Sequence, residues 1–224
     1  YKRQDYMRRV LILGANGNIS KAAINSFLEN TNYTLRLFLR DANRLPDYAS
    51  DRIRVREGDA TNIDDVNDAM QDVDIVVASL SGELDKEAEI IVKAMEQNEV
   101  KRLIFVTALG IYNEVPGAFG KWVEDKLGEK LAVYKRAADM IEASDLDYTL
   151  LRPAWLTNFN EIDFETTEKD ETFKGTEVSR KSVATVIVNI AKDPELFLRE
   201  NIGINKPKTD GPKPKHGERT FNHE

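Results

Sequence analysis

Val10-Leu-Ile-Leu-Gly14-Ala-Asn-Gly17-Asn-Ile-Ser20 is the most informative segment of the sequence. Its first four residues form a continuous apolar run, which is typical of a β-strand buried on both faces. Gly14 stands where this strand should end, and Gly17 stands where the following amphipathic helix should begin. The stretch therefore predicts a strand, a tight glycine turn and a helix, in that order.

This glycine turn also predicts a ligand. Glycine lets the backbone approach a bound molecule closely, and the N–H groups at a helix N-terminus attract the pyrophosphate of a dinucleotide. The common G-x-G-x-x-G pattern is not met, because the spacing is G-x-x-G-x-x-S with Ser20 at the third small position. A plain strand–helix turn would use the same two glycines, but the place of the turn after the first buried strand favours a dinucleotide.

The rest of the chain alternates β-rich runs with helical patterns, which predicts an α/β fold of the Rossmann type: a doubly wound parallel sheet with helices on both faces. Further strands are predicted at 33–39, 52–56, 74–78, 103–106 and 147–151, and helices at 19–29, 61–70, 83–98, 122–143 and 182–191. Within the helix at 61–70, Thr61 is expected to begin a capping box. The 52–56 strand alternates in polarity and is expected near an edge.

One domain is expected over residues 7–205, since no internal repeat or linker separates two cores. Residues 153–180 are predicted to form a small C-terminal cap on the substrate side of this domain. Residues 206–224 are predicted to be an irregular tail, because 206–217 alone holds three prolines, two glycines and four lysines.

The composition excludes several kinds of chemistry. The 224 residues include no cysteine, and the two histidines are His216 and His223. Thiolate nucleophiles, iron–sulfur clusters and thiolate zinc sites are therefore excluded, and no metal site is expected. The net charge of −7 argues against a nucleic-acid partner. No apolar run approaches the roughly 20 residues of a membrane span, so we expect no membrane partner and a cytoplasmic location.

The glycine turn resembles the short-chain dehydrogenase/reductase superfamily, most closely the atypical branch with NmrA-like and flavin- or biliverdin-reductase-like members. Further matching motifs are Leu37-Phe-Leu-Arg40, Gly58-Asp59-Ala-Thr61, Ala137-Ala-Asp139 and Asp147-Tyr-Thr-Leu-Leu-Arg152-Pro153. The resemblance covers about residues 7–195. It implies a Rossmann fold and a nicotinamide dinucleotide cofactor, and it does not specify the substrate.

Arg40, at the expected end of the second strand, bears on the choice of dinucleotide. An acid at this place hydrogen-bonds the ribose of NAD, whereas an arginine accommodates the additional phosphate of NADP. Arg44 follows one helical turn later. Asp41 would serve as an NAD-type acid if the strand ended one residue later. We therefore predict NADP and keep NAD as the alternative.

The resemblance implies cofactor contacts along the carboxyl edge of the sheet. Asp59 and Ala60 would lie against the adenine, although Asp59 could equally be a turn or capping residue. The backbone after Arg152-Pro153 would contact the nicotinamide end. The full predicted cofactor-binding set is Gly14, Ala15, Asn16, Gly17, Asn18, Ile19, Arg40, Asp59, Ala60, Ser79, Leu80, Thr107, Lys135, Pro153, Ala154, Trp155 and Leu156.

The superfamily's proton-transfer residues are only partly present. They are a Tyr and a Lys at Y-x-x-x-K spacing and a Ser or Thr near the end of the fifth strand, and Thr107 and Lys135 match the last two. Leu131 stands four residues before Lys135, where the Tyr would be. Tyr134 is adjacent to Lys135 and would point roughly 100° away on a helix. Tyr112, after the fifth strand, is the candidate replacement, so Thr107, Lys135 and Tyr112 are the predicted catalytic residues.

Two functions follow from this pattern. The first is an NADPH-dependent oxidoreductase that reduces a small conjugated acceptor such as a flavin or quinone, because the hydride belongs to the cofactor and solvent can supply the proton. The second is a non-catalytic NAD(P)-binding regulator of the NmrA-like type, which Leu131 favours. Trp155, Phe159 and Phe164 would line a pocket for a planar ligand or form a small C-terminal core. The sequence predicts no oligomeric state.

Overall fold

The computed structural model describes residues 7–216. The strands are β1 (Arg9–Leu13), β2 (Thr34–Leu39), β3 (Ile53–Glu57), β4 (Ile75–Ala78), β5 (Arg102–Val106), β6 (Asp147–Pro153), β7 (Trp155–Thr157), β8 (Glu165–Thr167), β9 (Glu177–Ser179) and β10 (Glu200–Asn205). The helices are α1 (Asn18–Asn30), α2 (Ile63–Ala69), α3 (Leu84–Gln97), α4 (Gly117–Leu127), α5 (Lys130–Glu142) and α6 (Arg180–Lys192), with a short 3-10 helix at Ala42–Arg44.

The main sheet confirms the predicted Rossmann-type fold. Its eight strands run in the order β3-β2-β1-β4-β5-β6-β10-β8, and all pairs are parallel except β10 with β8. The strand order reverses between β1 and β4, which opens a crevice at the carboxyl ends of these strands. β7 and β9 form a separate parallel pair. The small C-terminal region therefore adds an antiparallel strand and a short second sheet to the parallel core.

Buried strands and paired helices form the core. Residues 10–13 of β1 and all of β4 and β5 are buried, as continuous apolar runs predict for central strands. α1 packs against α6, and α3 packs against α5. β3 is an edge strand with Val55 48% exposed, in agreement with its alternating sequence.

The predicted single helix over 122–143 is wrong, because the chain forms two helices there. α4 ends at Leu127 and α5 begins at Lys130. Gly128 separates them with a φ of 51°, and its N–H donates to the Glu124 carbonyl at 2.9 Å. A backbone with positive φ is easily adopted by glycine and ends a helix. The apolar spacing continues across the break, so periodicity alone did not reveal it.

The predictions also missed β10. Its residues Glu200–Asn205 pair in parallel with β6 and extend the sheet by one strand. Residues 206–216 contain no helix or strand, yet they pack on the cap: Lys206 Nζ lies 2.8 Å from Glu161 Oε2, and Thr176 Oγ1 donates to the Thr209 carbonyl at 2.6 Å. The predicted domain boundaries stay predictions, and residues 217–224 of the tail, with His223, lie outside the described residues.

None of the helices within residues 7–216 combines the length and the apolar character that a bilayer span requires. No group of three or more His, Asp or Glu side chains in the same range is placed to hold a metal ion.

Candidate functional site

A cavity of about 380 Å³ lies at the carboxyl ends of β1 to β4, in the crevice where the strand order reverses. Eight of the predicted cofactor-binding residues line it together: Gly14, Asn16, Gly17, Arg40, Asp59, Ala60, Ser79 and Leu80. We call it the adenosine cavity, because the adenosine half of a dinucleotide occupies this end of the crevice in a Rossmann fold.

The glycine turn forms one wall of the adenosine cavity. The N–H groups of Gly14 and Ala15 both donate to the Phe38 carbonyl at 3.1 Å, which fastens the turn to β2. Gly17 is the N-cap residue of α1 and offers no side-chain acceptor to the first turn of that helix. A helix start without a capping side chain leaves room for an anionic ligand at its N-terminus. The turn therefore fits a dinucleotide diphosphate.

Gly14 cannot carry a side chain in this turn. Its φ is +75°, and a Cβ atom there would lie 2.4 Å from the carbonyl oxygen of Ser79. Because that oxygen belongs to the backbone after β4, relief of the clash would move the cavity wall itself. The close approach of two strand ends thus explains why glycine stands at the end of β1.

Gly14→Ala is expected to lower the free energy of unfolding by about 2 kcal/mol, from overpacking and an unfavourable φ together. Urea unfolding measures the change. Gly117→Ala is the matched control, because Gly117 also has a positive φ, +63°, but open space where the Cβ would go. An equal loss in both variants would show that the clash with Ser79 contributes nothing.

Other residues of the glycine turn occupy different environments. Ala15 and Ile19 are buried in the core and do not line the cavity. Asn18, the first residue of α1, is exposed. Asn16 lines the cavity, and its Oδ1 atom is buried without a hydrogen-bond partner among residues 7–216. A buried acceptor without a donor is costly unless a ligand or water supplies one, so Asn16 fits a hydroxyl or amine of a bound nucleotide.

Arg40 is the first residue after β2, which ends at Leu39. It lines the adenosine cavity together with Asp41 and Arg44. The Asp41 carboxylate accepts a hydrogen bond from the Asn43 N–H at 3.0 Å and caps the short 3-10 helix, so it serves the local backbone. Within the part of the chain that the structure describes, no carboxylate lies within 4.0 Å of the Arg40 guanidinium. An arginine so placed can bind a phosphate.

Asp59 holds a local turn and also lines the adenosine cavity, and its contact with an adenine stays a prediction. Its Oδ1 accepts hydrogen bonds from the Thr61 N–H at 2.8 Å and the Thr61 hydroxyl at 2.7 Å, which lower the pKa of Asp59 and keep it ionised. Asp59 also lines the cavity.

The expected capping role of Thr61 is wrong, because Asn62 is the N-cap of α2 and accepts hydrogen bonds from the Asp64 and Asp65 N–H groups.

Glu87 is a cavity residue that the sequence analysis missed. It lies near the start of α3, is 5% exposed, and lines the cavity. Burial, followed by the nearby Asp59 carboxylate, raises the pKa of Glu87 to about 7, and Arg40 opposes this increase. The only signal in the sequence was a glutamate beside Ala88 on the buried stripe of α3, a place where an ionisable side chain is costly.

The three predicted catalytic residues do not line the adenosine cavity. Thr107 is fully buried, and its hydroxyl donates to the Leu151 carbonyl at 3.1 Å. Lys135 is half-exposed and pairs with Asp139 at 2.7 Å. The Lys135 Nζ also lies 5.9 Å from the centroid of the Tyr112 ring, so the fold brings these two residues together. Their catalytic role stays a prediction.

Tyr112 belongs to a partly buried polar network. Its hydroxyl donates to Glu142 Oε1 at 3.3 Å and accepts from the Asn201 amide at 2.9 Å. Burial, followed by the Glu142 charge, raises the pKa of Tyr112 far above its ordinary value. Leu131, which stands at the position of the superfamily's tyrosine, packs toward Gly110 in the turn after β5. Neither residue offers an acidic proton near neutral pH.

The predicted nicotinamide-side residues are buried at the end of β6 and in β7. Ala154 and Leu156 are core residues, and Pro153 is the last residue of β6. The Trp155 ring makes an edge contact with Trp122 at 4.6 Å between centroids, so it belongs to an aromatic cluster. Of the other two aromatic candidates, Phe164 packs against the core, whereas Phe159 is 47% exposed.

Similarity to known proteins indicates NAD(P) as the class of ligand. Residues 14–194 match the family described as NAD(P)H-binding. A Rossmann-fold NAD(P)-binding family protein of Shigella flexneri is 44% identical, with 93% of this chain and 98% of that chain covered and a TM-score of 0.82. A short-chain dehydrogenase/reductase of Veillonella parvula, solved in complex with NADP, is 30% identical, with 93% and 99% covered and a TM-score of 0.88.

Two more distant relatives match most of the chain. An isoflavone reductase homolog of Nicotiana tabacum, A622, is 22% identical, with 89% of this chain and 68% of the relative covered. The anaerobilin reductase ChuY of Escherichia coli O157:H7 is 21% identical, with 91% and 99% covered and a TM-score of 0.78.

Fold and site together define a dinucleotide-binding protein of the Rossmann class. The chain belongs to the NAD(P)H-binding family of atypical short-chain dehydrogenase/reductases.

Proposed function

We propose that this protein binds NADPH in preference to NADH and uses it to reduce a small conjugated acceptor such as a flavin or a quinone. The observation that carries the cofactor preference is the position of Arg40. It follows β2 directly, lines the adenosine cavity and has no ion-pair partner in the described residues, while Asp41 caps the next turn. A 2′-phosphate would supply the missing counter-charge, and the hydroxyl of NADH would not.

The chain's own residues would hold the cofactor along the crevice. The N-terminus of α1 would bind the diphosphate, and the Asp59 carboxylate and Asn16 Oδ1 would accept hydrogen bonds from the adenosine half. When bound, the nicotinamide supplies the hydride, and the protein supplies orientation and exclusion of water.

We infer the class of acceptor from the side chains that could donate a proton to it. Leu131 replaces the tyrosine of the superfamily, and the Tyr112 hydroxyl is engaged by Glu142 and Asn201. Carbonyl reduction needs a proton donor of suitable pKa beside the substrate. A conjugated acceptor such as a flavin or quinone can take its proton from solvent, so a site without a dedicated acid supports this chemistry best.

Oxidation of NADPH in the presence of free flavins and quinones tests the activity. We expect the absorbance of reduced nicotinamide to fall with at least one of these acceptors. The second candidate function, a non-catalytic NADP-binding regulator, is favoured by Leu131 alone. Tight NADPH binding without turnover of any flavin or quinone would support the regulator and contradict the reductase.

Arg40→Ala is expected to weaken NADPH binding about 10- to 100-fold, since hydrogen bonds to a charged group contribute about 1.5–3 kcal/mol. The affinity for NADH should change less than about twofold, because NADH lacks the 2′-phosphate. Calorimetric titration with both dinucleotides measures this. Arg56→Ala is the control, because Arg56 is an exposed arginine that pairs with Asp68 away from the cavity. Equal losses for NADPH and NADH would contradict the assignment of Arg40.

A further inference from the structure

A second concave site lies on the other side of the α1 N-terminus from the adenosine cavity. It is a groove of about 240 Å³ between the first turns of α1 and α6 and the segment 158–160. We call it the α1–α6 groove. Asn18 lines it, and the preceding Gly17 lines the adenosine cavity, so the two sites adjoin at one peptide. Asn18 belongs to the predicted cofactor-binding set and Phe159 was a candidate for a planar-ligand pocket, but the groove's two cations, Arg180 and Lys181, were not predicted as site residues.

Arg180, the first residue of α6, lines the groove and lacks a counter-charge. It is 8% exposed, and its Nη1 donates to the Asn158 side-chain oxygen at 2.7 Å. Its buried Nε–H has no acceptor, and no carboxylate of residues 7–216 forms an ion pair with it. A buried cation with one neutral hydrogen-bond partner is costly. An anion bound in the groove would supply the counter-charge that Arg180 lacks among these residues.

The rest of the groove is also suited to negative charge. Lys181 lines it and donates from Nζ to the Asn160 side-chain oxygen at 2.7 Å, and no Asp or Glu is among the lining residues. The N-termini of α1 and α6, both 13-residue helices, border it and add positive potential. This local excess of positive charge stands out in a chain of net charge −7.

We propose that the α1–α6 groove binds a carboxylate or phosphate group of a small ligand, with Arg180 as the principal binding residue and Lys181 as the second cation. Two sources can supply that group: an acidic substituent on the acceptor, or the diphosphate of the dinucleotide. The acceptor is the better fit, because the Phe159 ring, which makes an edge contact with His216 at 5.3 Å between centroids, is still 47% exposed on the groove and can contact a planar ligand. The acceptor assignment rests on the proposed function, whereas the anion site does not.

Flavin mononucleotide and riboflavin are matched probes, since they share one ring system and differ by a phosphate. With NADP present at saturation, quenching of flavin fluorescence gives both affinities. We expect the mononucleotide to bind about 10- to 100-fold more tightly. Arg180→Gln should remove most of this difference and leave riboflavin affinity within about twofold, and the exposed Lys181→Gln should remove part of it. Lys192→Gln, at the other end of α6, is the control.

A second measurement does not need a flavin to bind. Inorganic phosphate, compared with chloride at equal ionic strength, should raise the melting temperature of the wild type and not that of Arg180→Gln. Arg180→Lys keeps the charge and should retain part of the effect, which separates loss of the anion site from loss of the fold.

These measurements distinguish an anionic group of the acceptor from the diphosphate of the dinucleotide. One result would show that the bound anion is the dinucleotide diphosphate: Arg180→Gln weakens NADPH binding, and the two flavins bind equally well to the wild type. The proposal that the groove binds the acceptor would then be overturned. The proposed anion site is overturned if substitution of Arg180 and Lys181 changes none of three quantities: the stabilisation by phosphate, the difference in affinity between flavin mononucleotide and riboflavin, and the affinity for NADPH. If NADPH does not bind at all, the proposed function fails, and the phosphate measurement still decides the groove.

Discussion

Arg152→Met is expected to lower the free energy of unfolding by about 3–5 kcal/mol, the range found when one partner of a buried ion pair is removed. Arg152 is fully buried near the end of β6 and pairs with Glu114, whose side chain is 5% exposed. Its Nε also donates to the Asn201 side-chain oxygen of β10 at 2.7 Å. Methionine has a similar length, so the main consequence is a buried carboxylate without a counter-charge.

Chemical denaturation of single and double variants measures this effect. Glu114→Gln added to Arg152→Met should recover part of the lost stability, because it removes the uncompensated charge. Lys86→Met is the control, since Lys86 and Glu83 form an exposed pair whose loss should cost less than about 0.5 kcal/mol. No recovery in the double variant would indicate that Arg152 contributes through packing and hydrogen bonds, and that its charge matters little.

Glu87→Gln is expected to stabilise the protein by about 3 kcal/mol near pH 8. The pKa of Glu87 is about 7 in the folded chain, against an ordinary value of 4.5. The folded state therefore holds the proton more tightly than the unfolded state. The contribution of Glu87 to the free energy of unfolding is fully present below pH 4.5, where the side chain is protonated in both states. This contribution falls as the pH rises from about 4.5 to about 7, and it does not recover at higher pH.

Glutamine keeps the shape of the side chain and stays neutral, so the difference between the two proteins should depend on pH. In urea unfolding without dinucleotide, the advantage of Glu87→Gln should shrink from about 3 kcal/mol near pH 8 to less than about 1 kcal/mol near pH 5. Glu89→Gln, an exposed carboxylate on the same helix, is the control and should show no such trend. A constant difference between the variants across this range would contradict ionisation of Glu87 as the cause.

Charged groups from several elements face Glu87. Asp59 and Arg40 come from the loops after β3 and β2, Glu83 is the N-cap residue of α3, and Asp85 lies in the first turn of that helix. Tyr134 approaches from α5, is 2% exposed, and has its pKa raised to about 12, first by burial and then by Glu87. The pKa of Glu87, and with it the contribution of Glu87 to the free energy of unfolding, therefore depends on burial and on charged residues from several elements.

Much of the fold was predictable from local sequence. Apolar runs of four or five residues marked β1, β4 and β5, and the two glycines marked the turn that forms the cavity wall. Arg40 was also predictable as a cavity residue, because its place depends only on where β2 ends. In each case the signal lies within a few residues of the element that it predicts.

Two elements were predicted wrongly or missed, because the local sequence around them carries a misleading or weak signal. The single helix over 122–143 was wrong because apolar spacing continues through Gly128, and only the backbone conformation there shows the break. β10 was missed because a six-residue strand with Gly203 in its interior has a weak signal before its pairing with β6 is known.

The fold class, the glycine turn and the arginine after β2 can be predicted without a structure, because each depends on residues adjacent in the chain. Three other features become visible only in the folded chain: Glu87 is buried beside Asp59, Arg152 pairs with Glu114 across 38 residues of chain, and Arg180 lies beside α1 without an ion-pair partner among the described residues. The energy of a charge depends on its burial and on the charges packed around it, and both are properties of contacts between residues distant in sequence.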